Sequence, residues 1–179
     1  PGPFVTEDPT LEISEPHNQR NRWQGPFRRG HLDAVALRYA VGCAGGVDAL
    51  ALTHLDVAEQ HSLGVCWAYR ADGELVADLT AVAGRLGSAD PGAAAGAGAG
   101  DALVRQEQLT RLLQRARPVY GGPAGRVPAG DWPSVVEQAV GAPVVLVSKG
   151  PTALDKESRN WGICDESNRT RLAAGGLAA

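Results

Sequence analysis

Short apolar runs bounded by turn residues alternate along this chain with longer stripes of helical spacing. That alternation limits the fold more than any other feature. Ala49-Leu50-Ala51-Leu52-Thr53, Leu63 to Tyr69, Glu74 to Leu79 and Pro143 to Val147 read as strands, the middle two joined by an Ala71-Asp72-Gly73 turn. Leu32, Val35, Ala36, Tyr39 and Ala40 share one helical face after Asp33, whose carboxylate can cap the amides that follow; Gly42, Gly45 and Gly46 end that helix. A second stripe, from Ala102 to Arg117, runs through Leu103, Gln106, Leu109, Leu113 and Ala116 and stops at Pro118. Asp131 is placed to cap a last helix with Val135, Val136, Ala139 and Val140 inside and Gly141 at its carboxyl end. Strands alternating with helices predict an α/β fold with a mostly parallel sheet. In such sheets ligands bind beyond the carboxyl ends of the strands. Two segments hold that position: Thr53-His54-Leu55-Asp56 after one strand that reads as buried, and Ser148-Lys149-Gly150 after another.

Composition narrows the function classes. The formal net charge is −3, not the basic footprint of a duplex-binding protein, so no nucleic-acid partner is expected. No run of 18 apolar residues exists, so no membrane span is expected either. Cys43, Cys66 and Cys164 are odd in number and far apart, which predicts small buried thiols in a reducing cytosolic compartment rather than a zinc site. The chain has no Met and opens on Pro1-Gly2-Pro3, as expected of a piece of something longer or of a processed product, and secretion is not expected. Residues 1–31 are expected to be loop, 91–100 a flexible Gly/Ala insert, and 157–179 a disordered tail.

Three places can do chemistry. Asp56 can accept two parallel hydrogen bonds from the N1–H and amino group of guanine, with His54 on the same face of an extended chain to stack on the base. The same residue fits the plainer role of capping a turn. Ser148-Lys149-Gly150-Pro151 is a tight turn in which Gly lets the backbone approach a flat ligand; it also fits an ordinary connection. In Trp23-Gln24-Gly25-Pro26-Phe27-Arg28-Arg29, guanidinium groups can clamp a carboxylate or phosphate while Trp23 and Phe27 close over it, or the segment is a solvated basic loop. His17, His31 and His61 have no partner at metal or nucleophile spacing and read as surface or satisfied polar groups. No phosphate-cradling Gly-x4-Gly-Lys motif is present.

Taken in order, these segments resemble adenylosuccinate synthetase, in its carboxy-terminal half, over residues 1–156. Gly2-Pro3-Phe4-Val5-Thr6-Glu7 resembles that family's Gly-Pro-Phe-Pro-Thr-Glu. Gly30-His31-Leu32-Asp33-Ala34-Val35-Ala36-Leu37-Arg38 resembles its Gly-Trp-Leu-Asp-x-Val-Ala-x-Arg. Leu52-Thr53-His54-Leu55-Asp56-Val57 resembles its Leu-Thr-Lys-Leu-Asp-Val, with His54 in place of Lys. Val65-Cys66-Trp67-Ala68-Tyr69, Pro118-Val119-Tyr120 and Ser148-Lys149-Gly150-Pro151 are similar to its Val-Cys-x-Ala-Tyr, Pro-x-Tyr and Ser-Thr-Gly-Pro. The family's Thr-Thr-Gly-Arg-x-Arg loop keeps one arginine here, Arg28, or two, Arg28 and Arg29, across a one-residue deletion.

The resemblance implies a P-loop-NTPase-like, mostly parallel sheet with flanking helices, present here in its carboxy-terminal portion only. It implies a ligase that joins L-aspartate to IMP with GTP and magnesium, as a homodimer or with a missing amino-terminal half that holds the catalytic acid and base and the magnesium ligands. His54, Leu55, Asp56, Ser148, Lys149 and Gly150 would then bind GTP, and Trp23, Gln24, Gly25, Arg28 and Arg29 would bind aspartate and IMP. By this reading the isolated chain holds no catalytic residue. The alternatives are a non-catalytic guanine-nucleotide-binding or subunit module, a ligase for another purine-like nucleotide, and a remnant that does not fold alone.

Overall fold

The structure is a computed structural model describing residues 2–14, 18, 20–23, 25–87, 99–121 and 126–159. Gln24, His17, Cys164, the stretch 91–98 and the expected tail from 160 onward lie outside the described residues. In chain order the elements are β1 (Leu32–Asp33), α1 (Ala34–Cys43), β2 (Leu50–Leu52), α2 (Leu55–Gln60), β3 (Val65–Ala71), β4 (Glu74–Val76), α3 (Leu79–Gly87), α4 (Ala99–Arg115), β5 (Arg117–Tyr120), α5 (Trp132–Val140), β6 (Val144–Ser148) and β7 (Lys156–Ser158).

Among the described residues the strands form two sheets, and they are mixed rather than mostly parallel. β1 runs parallel to β3, and β2 runs parallel to β6, each pair separated in sequence by at least one helix. β4 and β5 lie antiparallel to β3, and β7 lies antiparallel to β6. The reason is connection length. Asp72 and Gly73 both have positive φ (51° and 88°), a two-residue hairpin turn that can only reverse the chain. β6 and β7 are likewise joined by a short turn with one helical 3-10 segment, Ala153–Asp155.

Other expectations shift locally. Asp33 does cap α1, its Oδ1 accepting from the Ala36 N–H at 2.9 Å, but Leu32 belongs to β1 and Gly42 lies inside the helix. The run from Glu74 to Leu79 splits, because Asp78 Oδ1 accepts from the amides of Thr80 and Ala81 and starts α3. α4 begins at Ala99, so the last two residues of the expected insert are helical. Leu103 is exposed, while Leu109 and Ala116 face the core. Pro118 sits in β5 opposite Tyr69. Asp131 makes no side-chain cap; Gly141 does end α5, with φ 80°. β2 is only half-buried, and Glu157 and Ser158 are strand rather than tail.

α1 lies between two apolar clusters. Val35 enters the one built on Cys66, Tyr69, Leu79 and Leu109, and Ala34 enters the one built on Leu55, Val65, Trp132 and Val144. Tyr69 is fully buried, and its hydroxyl donates to Asp33 Oδ2 at 2.6 Å, so one carboxylate serves the helix cap and the sheet together. Among the described residues no helix is long and apolar enough to cross a membrane.

Candidate functional site

The parallel pairing of β2 and β6 decides which loops meet. Leu52 is in register with Val147, so Thr53-His54 and Ser148-Lys149 leave the same end of the sheet side by side. The two predicted segments are thus neighbours in space. Their local geometry differs from the expectation, however. Asp56 is not on extended chain; it lies in the first turn of α2. His54 takes a left-handed conformation, φ 61°, to turn from β2 into that helix. The two side chains therefore do not share a strand face.

Helical geometry instead aligns Asp56 with Glu59, three residues on. Glu59 Oε1 lies 3.6 Å from Lys149 Nζ, which ties α2 to the second turn. Asp56 is half-buried and forms no hydrogen bond or ion pair among the described residues. The second turn is braced from within. Ser148 Oγ and the Lys156 ammonium both donate to the Gly150 carbonyl, and the Lys149 N–H donates to the Asp155 carbonyl. Asp155 Oδ2 accepts from the Thr152 amide and hydroxyl, and those donors hold its carboxyl below the usual range. A Cβ on Gly150 would lie 2.7 Å from the Asp155 carboxylate, so only Gly fits this turn as built.

The arginine loop is engaged with the amino-terminal segment. Arg28 donates through Nε and Nη2 to Glu7 and through Nη1 to the Gly2 carbonyl, with its guanidinium over the Phe4 ring. That pairing holds the Glu7 carboxyl low and the Arg28 guanidinium high. Arg29 Nε is buried without a hydrogen-bond partner among the described residues. Gly25 is exposed. Trp23 is 87% exposed beneath Arg22, and Phe27 is also exposed, so the aromatic pair does not close over the loop.

A feature the sequence did not suggest is a cleft of about 620 Å³ whose lining includes Asp8, Glu12, His31, His61, Tyr120 and Arg126. His31 is a satisfied polar group, as its isolation in the sequence implied: Nδ1 accepts from the Gly64 N–H and Nε2 lies 3.3 Å from Asp8. Nothing in its spacing placed it in a cleft. Burial pushes the Tyr120 hydroxyl up to about 12. Among the described residues no group of three or more His, Cys, Asp or Glu side chains converges as metal ligands would, so these residues do not fit a magnesium cage.

Comparison with known proteins matches residues 1–156 to the family model described as adenylosuccinate synthetase. This chain belongs to the adenylosuccinate synthetase family. The family's curated member from Citrifermentans bemidjiense is 32% identical over 156 residues, covering 84% of this chain and 33% of that protein. The adenylosuccinate synthetase of Aquifex aeolicus is 30% identical over 159 residues with the same coverage, and that of Bdellovibrio bacteriovorus is 40% identical over 83 residues. The solved structure of a fully ligated adenylosuccinate synthetase from Plasmodium falciparum superposes with a TM-score of 0.56 at 20% identity, covering 89% of this chain and 36% of that one, a likeness of fold. The chain thus spans about a third of the length of the curated adenylosuccinate synthetases it matches, not the carboxy-terminal half expected from the motifs.

Proposed function

We propose that this chain provides the guanine-binding turns and the amino-acid loop of a GTP-dependent ligase that joins L-aspartate to IMP, forming adenylosuccinate in purine biosynthesis. The observation behind the proposal is the parallel register of β2 and β6, which sets the turn bearing His54 and Asp56 beside Ser148-Lys149-Gly150. Asp56, without another partner among the described residues, accepts from guanine N1–H and the 2-amino group. His54, exposed at the head of α2, packs on the ring. Arg28 exchanges Glu7 for a substrate carboxylate, a swap of one partly exposed ion pair for another.

GTP phosphorylates the IMP 6-oxygen, and the aspartate amine then displaces that phosphate. The remaining length of the relatives supplies the acid, base, phosphate loop and magnesium ligands in this proposal, and completes a P-loop-like sheet. The chain alone therefore turns nothing over.

Calorimetry of GDP against this chain tests the base site, and addition of the missing part tests the ligase. GTP-dependent formation of adenylosuccinate from IMP and aspartate is expected on addition. The absence of turnover with any purine nucleotide and amino acid overturns the ligase reading. GDP binding that persists without a partner chain, and without any restored activity, would favour a binding module.

A further inference from the structure

We propose that Lys149, held in place by Glu59, reads the purine 6-oxygen and so makes the site select 6-oxo over 6-amino purine nucleotides; this rests on the guanine-binding reading above. Guanine offers two donors, N1–H and the 2-amino group, directly beside one acceptor, the 6-oxygen. A carboxylate can serve only the donors. The acceptor needs a donor alongside Asp56.

Two main-chain groups of the second turn are already engaged. The Lys149 N–H is bonded to the Asp155 carbonyl, and the Gly150 carbonyl, itself an acceptor, is covered by Ser148 and Lys156. The Lys149 side chain supplies a charged donor from the same turn. It has three donors, and Glu59 draws on it at 3.6 Å. Because Glu59 lies three residues after Asp56 on α2, the ammonium bound to it rests along the helix face that presents Asp56.

Glu59 is thus a positioning residue with a second effect. It occupies an ammonium that would otherwise pair with Asp56 and silence the base reader. The pair is half-exposed on both sides, so it yields readily to a ligand. Adenine presents an amino group where guanine presents oxygen, and a donor facing an ammonium gains nothing.

Calorimetry of the full chain with GDP, IDP and ADP tests this. The wild type is expected to bind GDP best, IDP next and ADP least. Lys149→Thr should shrink the IDP-to-ADP preference about tenfold to a hundredfold, the worth of a charged hydrogen bond, and leave the GDP-to-IDP ratio unchanged. Lys149→Arg should retain most of the preference. Glu59→Gln should lower the GDP-to-IDP ratio by freeing the ammonium to pair with Asp56. Circular dichroism melts matching the wild type establish that each variant is folded. Equal weakening of all three nucleotides by Lys149→Thr, or no change, overturns the proposal while leaving the base site standing. A wild type that binds none of the three removes the guanine-binding reading and this one with it.

Discussion

Gly30→Ala is the most severe single-methyl change this fold can be asked to accept near the arginine loop. A Cβ built there lies 2.3 Å from the Thr6 carbonyl oxygen, 2.8 Å from the Thr6 carbonyl carbon and 2.8 Å from the tip of the Phe4 ring. Ordinary contact begins near 3.4 Å, so one of the two segments must retreat by about 1 Å. Thr6 cannot be the one to swing outward, because it is fully buried. Retreat breaks the His31 N–H to Thr6 carbonyl bond of 3.1 Å and strains the Thr6 hydroxyl to His31 carbonyl bond of 2.9 Å. A lost hydrogen bond costs about 1 kcal/mol and overpacking about 1–3 kcal/mol, so destabilisation of about 3 kcal/mol is expected. In a chain of this size that lowers Tm by roughly 6–12 °C. Urea unfolding followed by circular dichroism measures it. Gly25→Ala is the control, since nothing lies within 4 Å of a Cβ there, and it should stay within about 0.5 kcal/mol of wild type. A Gly30→Ala variant as stable as that control refutes the packing argument and the close approach of the two loops with it.

Tyr69→Phe removes the hydroxyl that donates to Asp33 Oδ2 and should cost about 1–3 kcal/mol in the same unfolding assay, with the loss falling on α1 and β3 together. Asp56→Asn places an amide beside guanine's own donors; GDP affinity should fall about thirtyfold while IDP, lacking the amino group, is relatively spared, and equal loss for both would speak against Asp56 as the base reader. Burial pushes the Cys66 thiol from its ordinary 9.0 up to about 11, so the folded state favours the neutral thiol. Its contribution to stability is whole below pH 9.0 and fades as pH climbs to about 11, and Cys66→Ala should flatten that alkaline limb of the stability profile. At pH 8, mass mapping after brief exposure to a thiol reagent should find exposed Cys43 modified and Cys66 intact.

The fold was legible where the local signal and the tertiary outcome agree. Asp33 before a helical stripe, Gly141 after one, and the valine-rich run Val144–Val147 all act through short-range sterics and hydrogen bonds, which sequence expresses directly. Strand direction is a different matter. Asp72-Gly73 announces a hairpin, and a hairpin means an antiparallel partner, so the mostly parallel sheet conflicted with a turn already recognised. The neighbours β5 and β7 escape such reasoning, because Pro118 and a polar triplet, Lys156-Glu157-Ser158, gain their strand partners only from residues about fifty and ten positions away respectively.

For the candidate site, chain position proved more informative than residue spacing. Alternation along an extended segment suggested that His54 and Asp56 share a face, and the left-handed turn at His54 removes that relation. What survives is their place beyond the end of a strand. Because β2 and β6 are parallel, two segments almost a hundred residues apart must emerge at one end of the sheet whatever their local conformation. The helix that replaces the extended segment then creates a relation that alternation could not show. A three-residue step from Asp56 reaches Glu59, and Glu59 reaches across to Lys149 on the other turn. Asp56 on α2 and Lys149 beyond the end of β6 are thereby linked through Glu59, a residue that no motif singles out. The same logic explains why the arginine loop was harder to read: the partners of Arg28 are Glu7 and the Gly2 carbonyl, which come from the far arm of a long loop, drawn in by the bridge between Glu7 and Gly30 and the bonds between Thr6 and His31.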